Sequence, residues 1–190
     1  MKKLAVFFPG IGYTKDKPLL YYSRKLAMAH GFDIIQVDYG NLSFESKGNR
    51  KNVEACMDDA WNATVNCLDS VDLTAYQGDE DIIIFFSKSI GTVLAARYAK
   101  EKGLLTGNVY YTPLEDTFSY VNDGYGIAFS GDADQYTDGE KLMELATLNH
   151  IEMYMLPDAD HSLETGDVLN DMDYLTDIME MTEEYIRDCE

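Results

Sequence analysis

The chain has 190 residues, 46% hydrophobic and 26% charged, which is enough apolar material for a core and excludes general disorder. At roughly 100–200 residues per domain it reads as one domain spanning residues 1–190. Lys and Arg number 15 against 34 Asp and Glu, and the net charge of -19 argues against nucleic acid, anionic membrane surfaces and highly anionic substrates.

The first apolar run, Lys3–Phe8, briefly imitates a signal peptide. It stops at Pro9-Gly10 with no small-residue cleavage site after it, so it reads as a buried strand. Pro18 suits a first helical turn, and Leu19, Tyr22 and Leu26 follow at helical spacing until Gly31. Next come a strand at Asp33–Val37 and a helix from about Asn49 to Leu68. The run Asp81–Phe86 is apolar on both faces, as a parallel strand covered by helices requires. A helix follows from Ser89 to about Lys102, then strands at Gly107–Tyr111 and Gly126–Ser130. A short helix from about Gly139 to Thr147 precedes the strand Ile151–Met155. The last helix carries Val168, Leu169, Met172, Leu175, Ile178, Met179, Tyr185 and Ile186 on one stripe. This alternation predicts an α/β chain: a three-layer αβα sandwich on a mostly parallel, doubly wound sheet of about six strands.

No apolar run approaches the roughly 18–20 residues of a membrane-spanning helix. Cys56 and Cys67 share one predicted helix at about 16 Å, too far apart to bridge, and Cys189 stands alone. Sparse, odd-numbered cysteines read as reduced thiols and a cytoplasmic location. In that compartment the sequons Asn41-Leu42-Ser43 and Asn62-Ala63-Thr64 carry no meaning.

In such sheets ligands bind at the carboxyl ends of the strands. There, Phe86-Ser87-Lys88-Ser89-Ile90-Gly91 joins a buried strand to a helix rich in small residues. A nucleophile elbow needs this context, because the residues two before and two after the serine crowd one another. Ser89 reads either as a nucleophile or as an ordinary serine N-cap. Of the histidines, His30 precedes Gly31 at a helix end, and His150 precedes the last strand, on the wrong edge of the sheet. His161 follows that strand, on the edge of Ser89, and is the candidate base. Asp132 and Asp134 both follow the fifth strand and are candidates to orient it, or turn residues. With Asp138 and Glu140 they also suggest calcium, but the spacing lacks the Asx and Gly of an EF-hand loop. Pro9-Gly10-Ile11-Gly12-Tyr13 closes the first strand with two glycines that let backbone N–H groups face a ligand. Ile11 and Ile90 are the candidate oxyanion donors. The third glycine of a dinucleotide loop is missing, so no such cofactor is expected.

Taken in order, P-G-I-G-Y, S-K-S-I-G, G-D-A-D and D-A-D-H-S-L-E resemble the α/β-hydrolase superfamily over about Lys3 to Asp188. The resemblance implies Ser89 as nucleophile, His161 as base and Asp134, at G-x-x-D spacing, as the acid. It implies a minimal α/β-hydrolase fold, without the two opening antiparallel strands, and a small ester or thioester substrate cleaved through an acyl-enzyme with no metal or organic cofactor. Ser87 departs from the usual glycine, and the short Thr112–Asn122 connection leaves no room for a large lid. Tyr13, Phe118 and Tyr120 are candidate pocket residues or ordinary packing. A noncatalytic binding protein of the same fold and an acyltransferase are the alternative functions, and the oligomeric state is left open.

Overall fold

Strand-forming runs rich in Ile, Phe and Tyr pair here without a single reversal. The computed structural model describes residues 1–40, 50–122 and 124–190, with the backbone alone for residues 50–55. The sequon Asn41-Leu42-Ser43 and the predicted helix start at Asn49 lie outside the described residues. The strands are β1 (Lys3–Phe8), β2 (Asp33–Gln36), β3 (Ile82–Lys88), β4 (Gly107–Tyr111), β5 (Ile127–Gly131) and β6 (Glu152–Leu156). They form one sheet in the order β2-β1-β3-β4-β5-β6, and every pairing between these strands is parallel. The sequence expectation of a mostly parallel sheet is therefore met in its purest form. β3 runs two residues beyond the predicted Phe86, because Ser87 and Lys88 still pair with Tyr110 and Tyr111. Regular strand thus continues to the residue before Ser89.

The helices are α1 (Pro18–Ala29), α2 (Arg50–Leu68), α3 (Ile90–Lys102), α4 (Gly139–Leu148) and α5 (Val168–Asp188). Strand side chains alternate between faces, and this alternation builds two cores. Ala5, Phe7, Ile84, Phe86, Val109, Tyr111 and Phe129 point toward α1 and α5. Leu4, Val6, Phe8, Ile83 and Phe85 point toward α2 and α3. Tyr110 and Ala128 meet α4. Aromatic rings stack across neighbouring strands on the α1/α5 face: Phe7 on Phe86 at 4.8 Å, and Tyr111 on Phe129 on Tyr154 at 5.7 and 5.4 Å. Each buried ring contributes about 1.5–3 kcal/mol from burial alone, so these ladders anchor the middle of the sheet. Among the described residues no helix is long and apolar enough to cross a membrane. Cys56, Cys67 and Cys189 are free thiols.

A buried hydroxyl chain ties α1, β4 and α5 together. Ser23 Oγ donates to the Leu19 carbonyl at 2.6 Å, which spends its hydrogen. Tyr111 must therefore donate to Ser23 at 2.7 Å, and Thr182 donates to the Tyr111 oxygen at 2.9 Å. Burial pushes the Tyr111 phenol up to about 12, so it stays protonated and able to donate. Tyr111→Phe leaves the Thr182 hydroxyl without its acceptor. Urea unfolding of this variant shows a loss of about 1–2 kcal/mol at neutral pH. An unchanged midpoint and slope speak against a contribution from the chain.

Candidate active site

Ser89 occupies the N-cap position of α3 with φ 55 and ψ -122. A non-glycine residue in this region stores strain of about 1–3 kcal/mol, held only because the surroundings over-determine it. Those surroundings are visible. The Ser89 N–H donates to the Tyr111 carbonyl at 3.0 Å, and the Ser89 carbonyl accepts from both the N–H and the hydroxyl of Thr92. The Thr92 hydroxyl is shared in turn with Thr117. An ordinary N-cap serine turns its oxygen onto the first helical N–H groups. Ser89 makes no such bond, and its Oγ lies 2.8 Å from His161 Nε2.

The other ring nitrogen of His161, Nδ1, lies 2.6 Å from Asp134 Oδ2. A carboxylate only accepts, so Nδ1 carries the proton and Nε2 is left to accept from Ser89. Burial pushes the Asp134 carboxyl up. The hydrogen bonds from His161 and the Tyr136 N–H, with the pull of Lys88, outweigh it and hold the group below its ordinary value. Two loops deliver this pair, and they are zipped together. Ala133 N–H donates to the Ala159 carbonyl, Asp132 N–H to the Leu156 carbonyl, and Asp158 N–H to Asp132 Oδ1 at 2.6 Å. Asp132 is thus a loop staple, and Asp134 is the carboxylate on the imidazole. Gly131 lies so close to the Ala159 carbonyl that a Cβ there would collide with it.

Ile90 is the first residue of α3, and its N–H has no intrahelical acceptor. Gly91 packs against the Phe8 and Pro9 carbonyls so tightly that no Cβ fits, which presses the start of α3 against the end of β1. A Cβ on Gly10 would touch Ser89 Cβ at 3.2 Å. The turn Gly10–Tyr13, closed by reciprocal backbone bonds, therefore sits with Gly10 against Ser89. A cleft of about 320 Å³ adjoins this turn, lined by Pro9, Gly10, Ile11, Gly12, Val37 and Tyr39 among others. Ser87, in place of glycine, is fully buried and donates to the Val109 carbonyl at 3.3 Å. A hydroxymethyl group fits that space with its hydrogen bond made.

The other histidines lie elsewhere. His30 caps α1 and its ring faces Glu190 and Glu183 at 3.2 and 3.3 Å. His150 lines a hollow of about 500 Å³ at the amino edge of the sheet, with Gly107, Gly126 and Cys189. Two of the three candidate pocket residues turn out to be packing: Tyr13 and Phe118 belong to buried clusters. Tyr120 is half-buried beside the Lys100 ammonium. Three site neighbours went unread in the sequence. Tyr136 is exposed and sets its ring edge-on to His161 at 4.9 Å. Lys88 is 1% exposed and donates to the Thr112 hydroxyl and to the His161 carbonyl. Thr112 is buried with φ 44, an outlier for a β-branched residue. A lysine ending a strand of Ile and Phe was the signal, since a buried strand has no ordinary use for it.

The parallel six-stranded sheet with a strained serine turn after its third strand is the α/β-hydrolase fold in minimal form. Solved structures of that fold superpose on nearly the whole chain. An α/β serine hydrolase without a lid from Xanthomonas campestris has a TM-score of 0.70 at 12% identity, covering 98% of this chain and 81% of that one. An α/β serine hydrolase homologue from Coxiella burnetii gives 0.63 at 14%, covering 96% and 84%. Est1E from Butyrivibrio proteoclasticus gives 0.67 at 11%, covering 98% and 88%. At these identities the likeness is one of fold. No protein-family model matches the sequence, and no curated protein matches it either.

Burial pushes the Lys88 ammonium down to about 7, against the pull of Asp134 and Asp160 and with a push from Lys17. An unfolded lysine keeps its proton to roughly pH 10.4. Between these values the unfolded chain holds one more proton than the folded chain, so this group makes stability rise with pH. Below the folded value both states are charged and the burial cost is constant. The stability of the wild type relative to Lys88→Met therefore increases above about pH 7, by at most about 1.4 kcal/mol per pH unit, and is flat below about pH 6. Urea unfolding of both proteins across this range measures it. A difference that stays flat throughout shows that Lys88 keeps its proton.

Proposed function

We propose that the protein is a serine hydrolase that cleaves a small ester or thioester through Ser89, His161 and Asp134 by way of an acyl-enzyme. One observation carries this reading. The Ser89 hydroxyl stands at the N-terminus of α3, caps nothing, and is within hydrogen-bond distance of an imidazole held by a buried carboxylate.

His161 Nε2 takes the proton of Ser89 as Oγ attacks the acyl carbonyl. The carbonyl π electrons move onto oxygen, and the N–H groups of Ile90 and Ile11 hold the oxyanion. Asp134 stabilises the imidazolium without taking its proton. His161 then gives that proton to the leaving alkoxide or thiolate. In the second half water loses a proton to His161 and attacks the acyl-enzyme, and Ser89 leaves with the proton. The N-terminus of α3 favours the negative charge that develops above it.

The short 112–122 connection, which carries a 3-10 helix at Glu115–Ser119, supports an open site with no lid inserted there. Est1E, which shares the fold, has been solved with ferulic acid bound, so a feruloyl ester belongs among the substrates tried. The net charge of -19 repels anionic substrates, more strongly at low salt.

Ser89→Ala lowers ester hydrolysis by about 10³-fold or more with the fold intact, and a fluorophosphonate labels the wild type at Ser89. Labelling at Ser87, or full activity in the alanine variant, overturns the assignment. Folded wild-type protein that neither labels nor hydrolyses any ester or thioester points to a noncatalytic binder.

Asp134→Asn costs far more activity than Asp132→Asn, because a misheld tautomer cannot accept the serine proton. Comparable losses in the two variants contradict the separate roles. Acetyl and butyryl esters give higher kcat/KM than palmitoyl esters, with no activity jump at the micelle threshold. A preference for long chains removes the case for an open site.

A further inference from the structure

We propose that Lys88 is a positioning residue, whose Nζ pins the backbone of His161 so that the imidazole stays aligned on Ser89. The kinetic part of this inference rests on the serine-hydrolase reading; the positional part does not.

The contacts divide cleanly. The imidazole is held at Nδ1 by Asp134 and meets Ser89 at Nε2. The backbone that carries the imidazole is held at its carbonyl by Lys88 Nζ, at 2.6 Å. Lys88 directly precedes Ser89 in the chain, so one side chain fixes the register between nucleophile strand and histidine loop. That loop crosses from β6 to α5 and contains two non-glycine residues at positive φ, Asp158 and Leu163. Its internal bonds gather on Asp160, which takes the N–H groups of Ser162 and Glu164 on its carboxylate and that of Leu163 on its carbonyl. Those bonds shape the loop and leave its distance from β3 to be set by other contacts, Lys88 among them.

In its charged form the nitrogen has two hydrogen-bond partners and an aromatic neighbour. It has three N–H groups. One meets the Thr112 hydroxyl, one the His161 carbonyl, and the Tyr13 ring lies with its centroid 5.0 Å from the nitrogen. The charged or titratable groups around it are Asp134, Asp160, His161, Lys17 and Tyr13. None of the described carboxylates forms an ion pair with it within 4.0 Å. A methionine there would fill a similar space without the cost of burying a charge. Thr112, its acceptor, is itself held in a strained conformation, with its N–H on the Phe129 carbonyl at 2.7 Å. A residue retained only to pack would need neither the two hydrogen bonds nor the strained partner.

The test compares wild type, Lys88→Met and Thr112→Val, each checked for folding by circular dichroism and thermal melting. Two readouts are taken on each. The first is the far-downfield proton resonance of the His161 Nδ1–H against Asp134, assigned by its loss in Asp134→Asn. The second is kcat and KM on a small activated ester. In Lys88→Met the resonance broadens or disappears, and kcat falls roughly 10- to 100-fold with KM little changed, as expected for a base moved off line. Thr112→Val shows the same change, smaller. If Lys88→Met does not fold, Thr112→Val alone decides, by the same two readouts. A folded Lys88→Met with the wild-type resonance and wild-type kcat overturns the inference. So does a lower kcat with an unchanged resonance, because the imidazole has then not moved. A wild type that shows the resonance and loses it in Lys88→Met, yet hydrolyses nothing, keeps the positioning role and removes the hydrolase reading.

Discussion

A backbone carbonyl, that of Ala159, fills the space where a side chain on residue 131 would stand. The geometry of the carboxyl edge follows from that contact. It lets the end of β5 and the loop after β6 lie backbone against backbone, joined by the bonds of Ala133, Asp132 and Asp158. Asp134 and His161 are therefore set as one unit before either side chain is considered. Gly91 plays the matching part at the end of β1, where Phe8 and Pro9 carbonyls exclude a Cβ. Two such backbone approaches, at Gly131 and Gly91, frame the place where Ser89, His161 and Asp134 meet.

The electrostatics of this edge run against the molecule as a whole. A chain of net charge -19 buries a lysine beside its site, its ammonium pushed down to about 7, and holds a carboxylate there below its ordinary value. Each would be expensive alone, since burial opposes both charges. Asp134 is stabilised by donors from His161 and the backbone, and Lys88 by a carbonyl, a hydroxyl and an aromatic face. They do not meet directly: Asp134 holds the His161 imidazole and Lys88 its backbone carbonyl.

Much of the fold was legible because strand and helix periods are local. The run Ile82–Phe86, apolar on both faces, reads as a covered strand, and Pro18 and Gly31 bound the first helix. The residues of the site were legible through chain order and strand ends, which is why Ser89 and His161 could be singled out. Asp132 and Asp134 were separable only by resemblance, because both follow the same strand and differ by two residues in a turn. What distinguishes them is a distant N–H, that of Asp158, which occupies Asp132. Lys88 was hidden for a similar reason: its partners Thr112 and His161 are far away in sequence. Tyr13 and Phe118, read as pocket candidates, are aromatic residues in loops that fold back onto the core.

The strand order has a consequence for how the chain reaches this state. β1 lies between β2 and β3, and Ala5 pairs with Ile34 on one side and Ile84 on the other. During synthesis the segment Leu-Ala-Val-Phe-Phe leaves the ribosome long before Ile82–Lys88 exists. Until then it has one partner strand at most, and that partner, β2, is only half-buried even in the finished protein. Such non-local pairing makes folding slow and leaves an aromatic strand edge open to other chains. The interval between the emergence of residues 8 and 88 is therefore the period in which a chaperone, or a neighbouring nascent chain, competes most directly for β1.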